Sequence, residues 1–174
     1  MKQKQVSSIL LTAFIVLMVS GCGSTAPKFF LNPPIDEDAF YGVGTAKKES
    51  RSLAKKTATG RARDEVANAV EIKVNNMLKD FMQESGVGDN AQALEFTESV
   101  SKQVSSIAMK GCKIIQAEEA KDRTFYVLVQ YRLQDAIDAS INEVKKEEAL
   151  FNEFKARQGF DSLEKELRKL DTAP

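Results

Sequence analysis

The side chains that most often carry enzyme chemistry are sparse in this 174-residue chain, which has no histidine, no tryptophan and only two cysteines, Cys22 and Cys112. Without histidine there can be no Ser-His-Asp or Cys-His nucleophile and no imidazole-ligated metal. Two thiols are too few for a zinc cage or a disulfide framework. The paired acids Glu118-Glu119 and Glu147-Glu148 are the obvious candidates for acid–base work. Neighbours on a strand point to opposite faces, so the first pair cannot readily share a site, and the second falls on a polar helix face. Gly42-Val43-Gly44 lacks the third glycine of a dinucleotide loop, with Lys47 in its place. Catalytic, cofactor-binding and metal-binding residues are therefore expected to be none.

One charged run stands out. Lys47, Lys48, Arg51, Lys55, Lys56, Arg61 and Arg63 face only Glu49 within their segment. Helical spacing brings Lys48, Arg51 and Lys55 together, outside the apolar stripe. They could form an interaction face for lipid phosphates, cell-wall polymer or an acidic neighbouring subunit. They could equally be a solvated helix side, balanced by Asp64, Glu65 and the acidic C-terminal helices. Lys plus Arg and Asp plus Glu both total 25, so no overall charge points to nucleic acid.

The other cysteine belongs to an address. Lys2 and Lys4 precede an apolar run from Val6 to Val19, which ends in Val19-Ser20-Gly21-Cys22. This order describes an export signal, and the run is shorter than the roughly 20 apolar residues that span a bilayer. The last four residues resemble the lipobox of bacterial lipoproteins. That resemblance implies a signal peptide at 1–21, a diacylglycerol thioether on Cys22 and an N-acyl chain, usually palmitate, on its amino group. No other cofactor is expected. Gly23 after the cysteine implies, by the same likeness, sorting to the outer membrane. Loss of residues 1–21 removes two bases and no acid, leaving a net charge of about −2. Cys112 would then be the one unlipidated thiol, expected to be buried rather than paired with another chain.

These groups need a body to hold them. Residues 22–38, with Pro27, Pro33 and Pro34, read as the lipidated start and a flexible linker; within it Phe29-Phe30-Leu31 would dip into lipid or cover an apolar patch, the second being preferred. Phe40–Ala46 reads as a strand whose glycines admit another backbone closely. Glu49 to Gln83 has a helical stripe of Leu53, Ala54, Ala58, Ala62, Val66, Val70, Val74, Met77, Leu78 and Phe81, with Gly60 marking a bend or tight contact. Ser85–Asn90 breaks it. A second helix is expected over 91–109, with Leu94, Val100, Val104 and Ile107 inward and Gly111 as its stop. Lys113–Ala120 and Thr124–Leu133 read as strands, the second apolar on both faces and so the middle one. Asp135, with Asp138, should cap a third helix whose apolar side is Ile137, Ile141, Val144, Phe151 and Phe154. Gly159 separates a short terminal helix at 159–174, marked by Phe160, Leu163, Leu167 and Leu170. The expected fold is α+β: a two-layer sandwich, with a small antiparallel three-stranded sheet under long helices, in a domain spanning 39–158.

Phe40–Ala46, Arg61-Ala62-Arg63-Asp64-Glu65 on an Ala-rich helix, Gly111-Cys112 and Tyr126–Arg132 together resemble the Lpp-twenty family of outer-membrane lipoproteins, over roughly residues 38 to 133. Related members include the flagellar outer-membrane lipoprotein P, which assembles into rings or discs at the basal body. The resemblance implies a non-enzymatic, lipid-anchored module that self-associates or docks on envelope or flagellar proteins. A monomeric ligand-binding or envelope-maintenance lipoprotein is the competing expectation.

Overall fold

The computed structural model describes residues 26–84, 91–146, 163–165 and 167–168. The order of elements is α1 (Lys28–Leu31), β1 (Ala39–Lys47), α2 (Arg51–Glu84), α3 (Ala91–Gly111), β2 (Lys113–Glu119), β3 (Thr124–Arg132) and α4 (Leu133–Lys146). The three strands form one antiparallel sheet in the order β1-β3-β2, so the apolar strand is indeed central. The long helices pack on one face of it, which is the α+β sandwich that the sequence predicts.

The first strand and the first long helix meet backbone to backbone. Gly42, Gly44 and Ala46 turn toward α2, whose Ala54, Ala58 and Ala62 are buried against the sheet. A Cβ placed on Gly42 would overlap the Ala62 carbonyl, and one on Gly44 the Ala58 carbonyl. No other residue type permits that approach. Beyond Val66 the helix outruns the sheet. Its 34 residues extend about 51 Å. The larger side chains Val70, Val74, Leu78 and Met82 then pack with Ala93, Phe96, Val100 and Val104 of the returning α3. The stripe thus grows from small to large because its partner changes from a backbone to another helix.

On α3 the inward face is Ala93, Phe96, Val100, Val104 and Ala108, joined by buried Thr97 and Ser101. Thr97 donates to the Ala93 carbonyl and Ser101 to the Glu98 carbonyl, so these hydroxyls bury without an unmet bond. Leu94 and Ile107, expected inward, are 43% and 38% exposed. They flank the true stripe, and small polar residues took the close positions because α2 approaches there. Leu53 is likewise 51% exposed, since Ala54 occupies the sheet-facing position beside it. Gly60 makes no tight contact; the space at its Cβ is open. Asp135 does not cap α4, which begins at Leu133; it sits in the first turn and accepts two hydrogen bonds from the Arg132 guanidinium.

Cys112 is buried as expected, its thiol donating to the Ala108 carbonyl at 3.0 Å. Burial pushes the Cys112 thiol pKa up, against the pull of the nearby Arg63 charge. Burial also pushes the Tyr131 phenol up to about 12, aided by Asp135 and Cys112. Gly111 makes room for the Tyr131 ring, 2.8 Å from where its Cβ would stand. Ser85–Asn90 and the positions of Phe151, Phe154, Gly159, Phe160 and Leu170 lie outside the described residues, while Leu163 and Leu167 are buried in the common core.

Two glycines should respond in opposite ways. Gly44→Ala is expected to lower the unfolding free energy by about 3 kcal/mol, because neither backbone can retreat. Gly60→Ala should raise it by about 1 kcal/mol at a helical site with free space; urea denaturation measures both. The raised Tyr131 and Cys112 values also set the sign of an alkaline effect. Both groups are neutral when protonated, so their stabilisation is complete below the unfolded-state values and fades above them. The urea midpoint should fall as pH rises from 8 toward and beyond 10, the ordinary tyrosine value, and Tyr131→Phe should flatten the part of that fall above about 10.

Candidate functional site

The lipidation candidate Cys22 lies outside the described residues, as does the predicted signal peptide. Among the described residues no helix is long and apolar enough to cross a membrane. What the fold does show is where the chain after that position goes. Pro27 starts the single turn α1, and the Phe30 ring meets Tyr126 of β3 edge-on, with centroids 4.9 Å apart. Tyr126 and Leu128 are buried on this second face of the sheet, 8% and 1% exposed. Phe30 within the proline-rich segment therefore covers an apolar patch of the body, the preferred of the two expectations, whereas Leu31 is 53% exposed.

The basic run divides into groups with different tasks. Arg61 donates to the Thr45 carbonyl at 2.6 Å, and Glu65 accepts the Val43 N–H at 2.6 Å. Together they reach over the outer edge of β1, so a helix side chain of each sign occupies backbone groups that a third party could otherwise pair with. Arg51 pairs with Glu119 at 2.6 Å and Lys47 with Asp122 at 3.4 Å. Asp122 also accepts from the Thr124 hydroxyl and N–H, which with Lys47 hold its carboxyl below the usual range. Of the three expected interaction-face residues, then, Arg51 is tied to β2. Lys48 and Lys55 are exposed and make no ion pair among the described residues. Glu65 does not balance the run as a free surface acid, because its carboxylate is engaged by β1.

Sequence reasoning could not see which other cations join Lys48. Antiparallel pairing sets Lys47 opposite Thr124, so the β2–β3 turn stands beside the start of α2. Lys121 and Arg123 in that turn are exposed and carry no ion pair among the described residues. Arg123 has φ 70°, a left-handed conformation that costs a branched-out side chain roughly 1–2 kcal/mol.

The opposite edge of the sheet is uncovered among the described residues. Every residue of β2 from Lys113 to Glu118 is exposed, and Ile114 and Ile115 are 43% and 46% open to solvent. A register irregularity between Ile114 and Gln116 falls in the same stretch. Glu118 and Glu119 diverge as expected, the second toward Arg51. Glu147-Glu148 lie outside the described residues. No group of three or more metal-binding side chains occurs among the described residues. Two grooves run along α2 among the described residues: one is bounded by Asn68, Glu71, Ile72 and Asn75, another by Met77, Phe81, Leu163 and Leu167.

Comparison with curated proteins and with solved structures returned no match. A family model, LPP20 lipoprotein, matches residues 30–132, more than half of the chain. The matched span opens at Phe30, which covers the sheet, and closes at Arg132, where the central strand ends. It contains the glycines of β1, the alanines of α2 that receive them, and the Arg61 and Glu65 that close the strand edge. On this agreement of sequence model and packing, the chain belongs to the LPP20 lipoprotein family.

Proposed function

We propose that this lipoprotein is acylated at Cys22, sits at the outer membrane and acts as a non-enzymatic scaffold that associates with further copies of itself or with an envelope assembly. The observation that supports this most is the contrast between the two sheet edges. Side chains from α2 occupy the edge of β1, whereas β2 offers an exposed strand with two isoleucines and no side chain on its outer backbone groups among the described residues. An open edge of that kind is a template for pairing with another strand. The strand is self-complementary as well. Set antiparallel to a second β2, Lys113 stands opposite Glu118 and Ile114 opposite Ala117, so charge meets opposite charge and apolar meets apolar. The two grooves along α2, open to solvent and edged by Asn, Glu, Asp and Lys side chains, give less support to the alternative of a monomeric ligand-binding lipoprotein.

The flagellar basal body is the assembly we propose, on the likeness to ring- and disc-forming lipoproteins. Deleting the gene should abolish or impair swimming while growth and envelope integrity stay normal; normal swimming would place the scaffold elsewhere.

Sedimentation velocity tests association directly on the chain from Gly23 onward. The expected result is a dimer or larger species that Ile114→Lys with Ile115→Lys converts to monomer, without change in thermal midpoint beyond a few degrees, since both positions are exposed. A strict monomer at high concentration, with no partner captured by crosslinking in cells, would favour the monomeric alternative.

A further inference from the structure

One group of exposed cations lies at the end of the molecule where the tether enters. Lys47 pairs with Asp122, Arg51 with Glu119, and the strand register places Thr45, Tyr126 and Glu118 in one row just behind them. Phe30 packs on Tyr126 of that row. The start of α2, the β2–β3 turn and the entering segment thus share one end of the sheet, while α2 and α3 carry the helical half away from it. Lys28, Lys48, Lys55, Lys121 and Arg123 are exposed at this end and form no ion pair among the described residues. Beside them Leu53 and Leu31 are 51% and 53% exposed.

Chain length settles what faces this end. Only three residues lie between Cys22 and Ala26, the first described residue, and the four chain steps from one to the other reach at most about 14 Å even when extended. An acyl group on Cys22 would therefore hold this end, and not the far helical end, within headgroup distance of the bilayer.

We infer that the end of the sheet carrying Lys28, Lys48, Lys55, Lys121 and Arg123 docks flat on anionic phospholipid headgroups of the membrane that holds the anchor, with Leu53 entering the interface. The inference rests on acylation of Cys22 and adds a second contact to it. A polybasic patch next to a lipid chain is a sufficient second membrane signal, since each cation gains from a negative surface within a screening length. The docked chain would stand with α2 rising from the surface. That posture would leave the β2 edge facing sideways, toward neighbours tethered to the same leaflet.

The test uses the full chain purified in acylated form and reconstituted into vesicles. One set contains phosphatidylcholine with about 30% phosphatidylglycerol, and the other phosphatidylcholine alone. A fluorophore is carried by Leu53→Cys or, as the distal control, by Ile72→Cys, which lies about 28 Å further along α2. Quenching by nitroxide-labelled lipid should be several-fold stronger at position 53 than at position 72, and only in the anionic vesicles. Neutralising three exposed cations together, Lys48→Gln, Lys55→Gln and Lys121→Gln, should shift the docked-to-free ratio by on the order of a hundredfold and remove the difference. Equal quenching at both positions, or quenching indifferent to lipid charge, would overturn the docking face. So would crosslinks that seat Lys48 and Lys55 against an acidic protein. Intact mass of the same sample separates the two levels of failure. Acylated Cys22 without the quenching difference defeats the docking alone, whereas an unmodified Cys22 defeats the tether and the docking with it.

Discussion

Everything in this fold is arranged around a place where two backbones touch. The carbonyls of Ala58 and Ala62 lie where Gly44 and Gly42 would carry a Cβ. That contact draws α2 down onto β1, which fixes the angle at which the helix crosses the sheet and the end from which it emerges. It also brings Arg61 and Glu65 to the outer edge of the strand, since they flank the same turn of helix. Close packing here leaves no volume to absorb a methyl group, so the geometry is held by exclusion rather than by any one strong bond.

From that contact the molecule becomes polar along its length. At one end a thin sheet is covered by small residues on one face and by Phe30 on the other. At the far end α2 and α3 meet through valines, Leu78, Phe81 and Phe96, in a helix–helix core that includes Leu163 and Leu167. Charge follows the same axis. A group of cations without ion pairs among the described residues stands at the sheet end, where the hairpin turn and the start of α2 converge, while Lys102, Arg132 and Arg168 elsewhere each pair with an acid close along their own segment.

The two edges of the sheet have been treated differently. One is capped by a helix that had to be close for other reasons. The other follows a register irregularity and exposes Ile114 and Ile115, although the apolar residues of the neighbouring β3 are buried on both faces. An exposed β-branched pair on an uncapped strand is a risk of indiscriminate pairing for a protein that works alone. For a module tethered beside its own copies it is a natural join. Edge and basic end are at right angles to one another, so the scaffold and membrane contacts we propose do not compete for the same surface.

The order of the strands and long helices, the central position of β3, the burial of Cys112 and the small-to-large gradient of α2 were all legible in the residues, because periodicity and side-chain volume report which face must leave water, whereas the short α1 lay in a stretch that reads as linker. So was the close approach at Gly42 and Gly44. Phase within a helix was not: Leu53, Leu94 and Ile107 sit beside the apolar stripe rather than in it, and only the distance to the neighbouring element decides whether alanine, serine or leucine fits. The role of Gly60 was equally out of reach, since an open site and a crowded one look alike in a sequence. The basic run was visible, yet its division was not. Which cation finds Glu119 or Asp122, which one reaches a strand edge, and which join Lys121 and Arg123 across a turn 70 residues away depend on strand register, and register is a property of the folded chain alone.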